Sequence, residues 1–144
     1  MKYELPEFLK ISATQEAYDK WLSRKASAHL KRDRKRGNIA STREQYKIEI
    51  HQAVVRSNGF DEYTGKSLRW NLISTYDNDI SKNKGREYKA TFADLPTVDH
   101  VNDGKGDPDF KICSWKVNDA KNDLSLEEFL DLCETVLRHN TESN

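Results

Sequence analysis

The chain has 144 residues, 33% of them charged, and its mean hydropathy is −0.93. That length fits one domain, over residues 1–144, and no apolar run approaches the ~18 residues that a membrane span needs. The first ten residues mix Glu, Pro and Lys and lack the apolar core of a signal peptide. We therefore expect a cytoplasmic protein with no membrane partner.

The net charge is zero, but the two halves of the chain differ in sign. Residues 1–70 carry 15 Lys and Arg against 9 Asp and Glu, a net charge of +6. Residues 71–144 carry 9 against 15, a net charge of −6. The basic half predicts affinity for phosphate groups, which an acidic site in the other half would not supply by itself.

Helical periodicity predicts a first helix that begins near Ser12 or Thr14 and ends at Gly37-Asn38. Its buried face is predicted to contain Tyr18, Trp21, Leu22 and Ala26. The second half of this helix is strongly basic, and we expect its cations to contact nucleic-acid phosphates, with a merely solvated helix face as the alternative. These cations are Arg24, Lys25, Lys31, Arg32, Arg34, Lys35 and Arg36.

A second helix is predicted from a capping box at Ser41-Thr42-Arg43-Glu44 to a stop at residues 57–59. Its predicted apolar stripe is Tyr46, Ile50, Ala53 and Val54. Residues 12–59 thus form a helical, basic part of the chain. A turn follows at residues 60–68, where Tyr63 and Leu68 are expected to pack. The run 70–76 is apolar without a clear period, and residues 77–89 have the composition of a loop.

The stretch 95–124 combines the residue types that phosphodiester hydrolysis needs. Asp99 and His100 end a β-like run, a loop rich in Gly and Asp follows, and a second β-like run covers residues 110–115. A short helix then carries Asn118 and Lys121. A neutral His can accept a proton from water, while carboxylate and amide oxygens suit magnesium. Because neighbours on a strand point to opposite faces, Asp99 and His100 share a site only if the strand bends or ends there.

The pattern Asp99-His100, Asp109-Phe110 and Asn118-x-x-Lys121 resembles the HNH endonuclease motif, the ββα-metal finger. The resemblance implies that Asp99 and Asn118 hold Mg²⁺ or Mn²⁺, that His100 is the general base and that Lys121 lies near the phosphate. Asp109 takes the position of the family's central Asn, which braces the hairpin. The substrate would be double-stranded DNA, bound by the basic residues of the first helix.

The fold class expected from this resemblance is α+β. It has a small hairpin-plus-helix core at residues 60–125, flanked by two N-terminal helices and one C-terminal helix. The last helix is predicted over residues 125–139 from a capping box at Ser125 to Glu128. Its apolar stripe is expected to brace the site. That stripe is Leu126, Phe129, Leu130, Cys133, Val136 and Leu137.

An alternative interpretation is a catalytically decayed HNH-like module for DNA binding or assembly. It is motivated by Asp109 in place of Asn and by the lack of Cys in the turn at residues 60–68, where many HNH domains have a zinc knuckle. Cys113 and Cys133 lack the paired spacing of a zinc site, so no structural zinc is predicted. With one site per chain, cleavage of both strands needs either a homodimer or two successive nicks.

Overall fold

The computed structural model describes residues 2–39, 41–75, 86–101 and 106–142. The elements in chain order are a 3-10 helix Glu7–Leu9, α1 Gln15–Lys35, α2 Arg43–Ser57, a 3-10 helix Trp70–Ser74, α3 Arg86–Thr91, β1 Pro96–His100, β2 Phe110–Ser114, α4 Trp115–Lys121 and α5 Leu126–Thr141. The predicted α+β class is confirmed. The predicted loop at residues 77–89 is wrong for residues 86–89, which begin α3, and its part before residue 86 lies outside the described residues.

Side-chain caps determine where the helices start. Thr14 accepts a hydrogen bond from the Ala17 N–H and begins α1, in agreement with the sequence. The box at α2 lies one residue later than predicted, because Thr42, not Ser41, pairs with the residue three positions on, Gln45. Both predicted helix ends are confirmed by backbone in the left-handed region, with φ of 90° at Gly37 and 54° at Asn58.

The two strands form an antiparallel hairpin in which Pro96 pairs with Ser114 and His100 with Phe110. α1 runs along the other edge of β1. Trp21 Nε1 donates to the Pro96 carbonyl at 3.3 Å, and His29 Nε2 donates to the Val98 carbonyl at 3.1 Å. These bonds satisfy edge carbonyls that would otherwise stay unpaired, and they fix α1 relative to the hairpin.

The core lies between α1, α2 and one face of the hairpin. All eight residues predicted to face the core from α1 and α2 are buried. Phe110 and Ile112 of β2 complete this core. Leu68 is buried as expected, whereas Tyr63 is half-buried and its hydroxyl reaches Asp99 instead of only packing in the turn.

The C-terminal helix forms where its capping box predicts, with Ser125 and Glu128 bonded reciprocally. Its predicted bracing role is wrong, because no residue of Leu126–Thr141 is buried. Leu130 is 58% exposed and Leu137 is 63% exposed. Amphipathic periodicity shows that a helix has an apolar face, but it does not say what covers that face.

Candidate functional site

The face of the hairpin that carries Thr97 and Asp99 is covered by α4. The Lys121 ammonium lies 3.0 Å from Asp99 Oδ2, and the Tyr63 hydroxyl donates to the same oxygen at 2.6 Å. The side chains of Asp99 and Lys121 are only 6% and 5% exposed. Burial raises the pKa of Tyr63, and the charge of Asp99 raises it further. Tyr63 is therefore a permanent hydrogen-bond donor to this carboxylate.

Asn118 lies one helical turn before Lys121, where α4 faces α1. It is half-buried and lines a cavity of about 320 Å³ together with Arg24, Lys25, Thr97 and Trp115. The Lys25 ammonium donates to Thr97 Oγ1 at 3.0 Å. Burial of this ammonium, aided by the charge of Arg24, lowers the pKa of Lys25 to about 8. Since the cavity is lined by two cations and by no carboxylate of the described residues, it favours an anion.

A second cavity, of about 160 Å³, shares Asn118 with the first and is lined by Arg32 of α1 and by the carboxylates of Asp119 and Asp123. Arg32 and Arg36 each lie within 3.7 Å of the exposed carboxylate of Asp123. Arg24 donates to the Ile73 carbonyl and Arg34 to the Ser41 carbonyl, both at 3.2 Å. The remaining two predicted DNA-binding residues, Lys31 and Lys35, are exposed. The predicted basic residues therefore divide into two sets. The basic row of α1, on the side of α4 and Asp123, is Arg24, Lys25, Arg32 and Arg36, and the group directed elsewhere is Lys31, Arg34 and Lys35.

His100 lies on the opposite face of the hairpin from Asp99, with its side chain 2% exposed. Its Nε2 is 3.0 Å from both carboxylate oxygens of Asp33, and its Nδ1 is 3.0 Å from Nδ1 of His29. The Tyr46 hydroxyl donates to Asp33 at 2.5 Å. Strand pairing continues through His100, so the alternation of faces is kept. The bend that would bring Asp99 and His100 into one site is not present.

The hydrogen bonds of this cluster of Asp33, His100 and His29 assign donor and acceptor roles to the ring nitrogens. His29 Nε2 donates to a carbonyl, so its Nδ1 is the acceptor when the ring is neutral. Burial lowers the pKa of His29 well below its usual range, and it also lowers that of His100 although Asp33 opposes the effect. His100 Nδ1 then donates to His29, and His100 Nε2 faces the Asp33 carboxylate at 3.0 Å. Both ring nitrogens of His100 are thus engaged inside the protein.

Asp109, the residue at the position of the family's central Asn, is exposed. Its backbone carbonyl accepts from the Val101 N–H at 2.9 Å and extends the hairpin pairing by one bond. Three partners in the site were missed by the sequence analysis, namely Tyr63, His29 and Asp33. The spacing of Lys25, His29 and Asp33, four residues apart on α1, was the available signal that they share a face.

Comparison with family models, curated proteins and solved structures finds no match for this chain. Within the described ranges, no helix is long and apolar enough to cross a membrane. In the same part of the chain, no three His, Cys, Asp or Glu side chains are grouped so as to hold a metal ion.

Whether this site suits a divalent cation therefore depends on the chemistry of its donor atoms. Asp99 and Asn118 offer a carboxylate and an amide oxygen, the hard donors that magnesium takes. Asp99 already faces a cation, because the Lys121 ammonium lies against it. The oxygens of Asp99 and Asn118 are the donors that would hold a cation, but Asn118 also lines the cationic cavity, and a divalent ion at Asp99 would have to displace the Lys121 ammonium.

Proposed function

We propose that this chain is an endonuclease that hydrolyses phosphodiester bonds of double-stranded DNA, as in the HNH family that its motif resembles. One observation carries the proposal: α4 packs on the face of the hairpin that bears Asp99. As a result, Asp99, Asn118 and Lys121 lie along one side of the structure, next to the cationic cavity at Lys25. The proposal also assumes the cytoplasmic location that the sequence predicts.

The basic row of α1 would bind the DNA backbone. From Arg24 to Arg36 the helix rises by ~18 Å, the length of about five base pairs. Among the described residues, Arg32 and Arg36 pair with the exposed carboxylate of Asp123, so phosphate can replace it as their partner at little cost. Lys25 and Asn118 lie at one end of this row, where the scissile phosphate would be held.

The cofactor proposed is Mg²⁺ or Mn²⁺, held by Asp99 and Asn118. Such a cation supplies stabilisation of the charge that develops on the leaving oxygen. Lys121, once displaced from Asp99, is close enough to neutralise a phosphate. His100 would act as general base only after its ring leaves Asp33 and His29, and the free energy of DNA binding would have to drive that change.

A second candidate function is a DNA-binding or assembly module without catalysis. It is favoured by the position of His100, which is buried on the far face with both ring nitrogens bonded. In this reading the ion pair of Asp99 with Lys121 only stabilises the fold. The basic row of α1 would keep its role, so DNA binding is common to both candidates.

Plasmid nicking by the purified chain in magnesium, manganese or EDTA distinguishes the candidates. Asn118→Ala tests the site directly, because Asn118 faces the cavity and is not part of the core. We expect metal-dependent nicking that Asn118→Ala and His100→Ala abolish while DNA binding is retained. Lys25→Met should weaken DNA binding more than the matched control Lys31→Met, which changes an exposed lysine of the same helix.

The contrary outcomes are equally specific. Nicking by Asn118→Ala at the wild-type rate would exclude this site. Salt-dependent DNA binding without any nicking, again weakened by Lys25→Met, would establish the non-catalytic module instead. Failure of the wild-type chain to bind DNA at low salt would overturn both candidates.

A further inference from the structure

The C-terminal helix α5 leaves most of its apolar face exposed in the described structure, with Phe129 half-buried. Five of its large apolar residues are between 38% and 63% exposed, namely Leu126, Leu130, Leu132, Val136 and Leu137. Isolated helices of this length are marginal in water, even with a good cap. An amphipathic helix of 16 residues, none of them buried, is therefore expected to have a partner.

The apolar residues of α5 follow the spacing of a helix pair. Leu126, Phe129, Cys133 and Val136 alternate at three and four residues, the a and d positions of a heptad, with Leu130 and Leu137 beside them. The opposite side carries Glu127, Glu128, Asp131 and Glu134. This is the pattern of a helix that packs lengthwise on another helix.

We propose that the partner is α5 of a second copy of this chain, packed antiparallel about a two-fold axis beside Cys133. In that arrangement Phe129 faces Leu137 of the other copy, and Leu130 faces its Val136. The apolar sequence is thus complementary to itself, as a two-fold interface requires.

The charges select the antiparallel direction. The first turn of α5 is acidic, with Glu127 and Glu128, and its last turn contains Arg138 and His139. These side chains lie outside the apolar seam, so the effect is long-range: an antiparallel pair brings the acidic end of each helix near the basic end of the other copy. A parallel pair would place the two acidic turns side by side, which costs free energy.

The expected affinity follows from the size of the interface. Two helices of this length bury roughly 1,000 Å² in total, at the lower end of specific interfaces. The dimer should therefore dissociate on dilution through the micromolar range. The proposed dimer does not depend on the proposed nuclease activity. If the chain is a nuclease, dimerisation would also supply the two sites that cleavage of both DNA strands needs.

Sedimentation across that concentration range tests the proposal. We expect the wild-type chain to shift from monomer to dimer, and Leu130→Glu or Val136→Glu to remain monomeric. Thr135→Glu is the matched control, because it adds the same charge to the opposite side of α5 and should dimerise. Because no residue of α5 is buried, these variants should keep the tryptophan fluorescence of the folded body.

Cysteine cross-linking tests the orientation. Oxidation by copper phenanthroline should join two copies through Cys133, which is exposed, and Cys133→Ser should prevent it. Cys113 is buried and burial raises the pKa of its thiol, so it should not react. Glu127→Cys in the Cys133→Ser chain should not cross-link to itself. A monomer at every concentration, a dimer that survives Leu130→Glu, or rapid cross-linking at position 127 would overturn the proposal.

Discussion

Replacing Lys121 by Met should destabilise the protein far more than removing an exposed ion pair would. The substitution leaves the Asp99 carboxylate buried, and among the described residues the Tyr63 hydroxyl remains as its polar partner at 2.6 Å. Breaking a buried pair by removing one partner costs about 3–5 kcal/mol. Domains are stable by about 5–15 kcal/mol, so this is a large fraction of the free energy of unfolding.

Urea unfolding followed by tryptophan fluorescence measures that loss. The matched control is Arg138→Met, which removes an ion pair with Glu134 from a side chain that is 60% exposed, and its midpoint should barely move. Asp99→Asn combined with Lys121→Met should recover much of the loss, because the buried charge is then absent. If Lys121→Met proves too unstable, Tyr63→Phe should cost about 1–2 kcal/mol through one hydrogen bond. If the urea midpoint of Lys121→Met equals that of Arg138→Met, the buried ion pair does not stabilise the fold as argued.

Two further predictions concern stability. Burial lowers the pKa of His29 below the ordinary 6.5, so as the pH falls the unfolded chain binds a proton at this residue before the folded chain does. The free energy of unfolding should therefore decrease as the pH drops below about 6.5, by up to ~1.4 kcal/mol per pH unit for each proton. Denaturation between neutral and acid pH checks this, since His29→Leu should flatten the slope and His139→Leu should not. The buried Asp61 carboxylate accepts from the N–H groups of Tyr63, Thr64 and Ser114. Asp61→Ala should therefore cost at least ~2 kcal/mol in urea unfolding, and a smaller loss would show that water replaces these bonds.

The local parts of this fold were predictable because they depend on neighbours in the chain. Helical periodicity identifies the buried residues of α1 and α2, and the box at Ser125 identifies the start of α5. The missed parts depend on distant residues. Asp99 bonds a residue 36 positions away, and His100 bonds one 67 positions away. Whether a strand bends between two neighbours is decided by such contacts, which no local pattern contains.

The ion pair of Lys121 with Asp99 implies that the ammonium competes with a divalent cation for this carboxylate. The ammonium at 3.0 Å repels a second cation, so Lys121→Met should bind Mg²⁺ or Mn²⁺ more tightly than the wild-type chain. A ligand that binds only the folded state raises its stability, and the gain grows with ligand concentration over the dissociation constant. Magnesium should therefore raise the urea midpoint of Lys121→Met clearly and that of the wild type weakly.

A second variant distinguishes magnesium binding at this site from a general effect of ionic strength on stability. Adding Asn118→Ala to Lys121→Met should reduce the stabilisation by magnesium, because the amide oxygen is the other proposed donor. Potassium chloride of equal ionic strength should have no such dependence on the variant. Equal stabilisation of wild type and Lys121→Met would mean that Asp99 is not a cation site. The proposed nuclease would then lose its cofactor, and the non-catalytic module would be the better account of this hairpin.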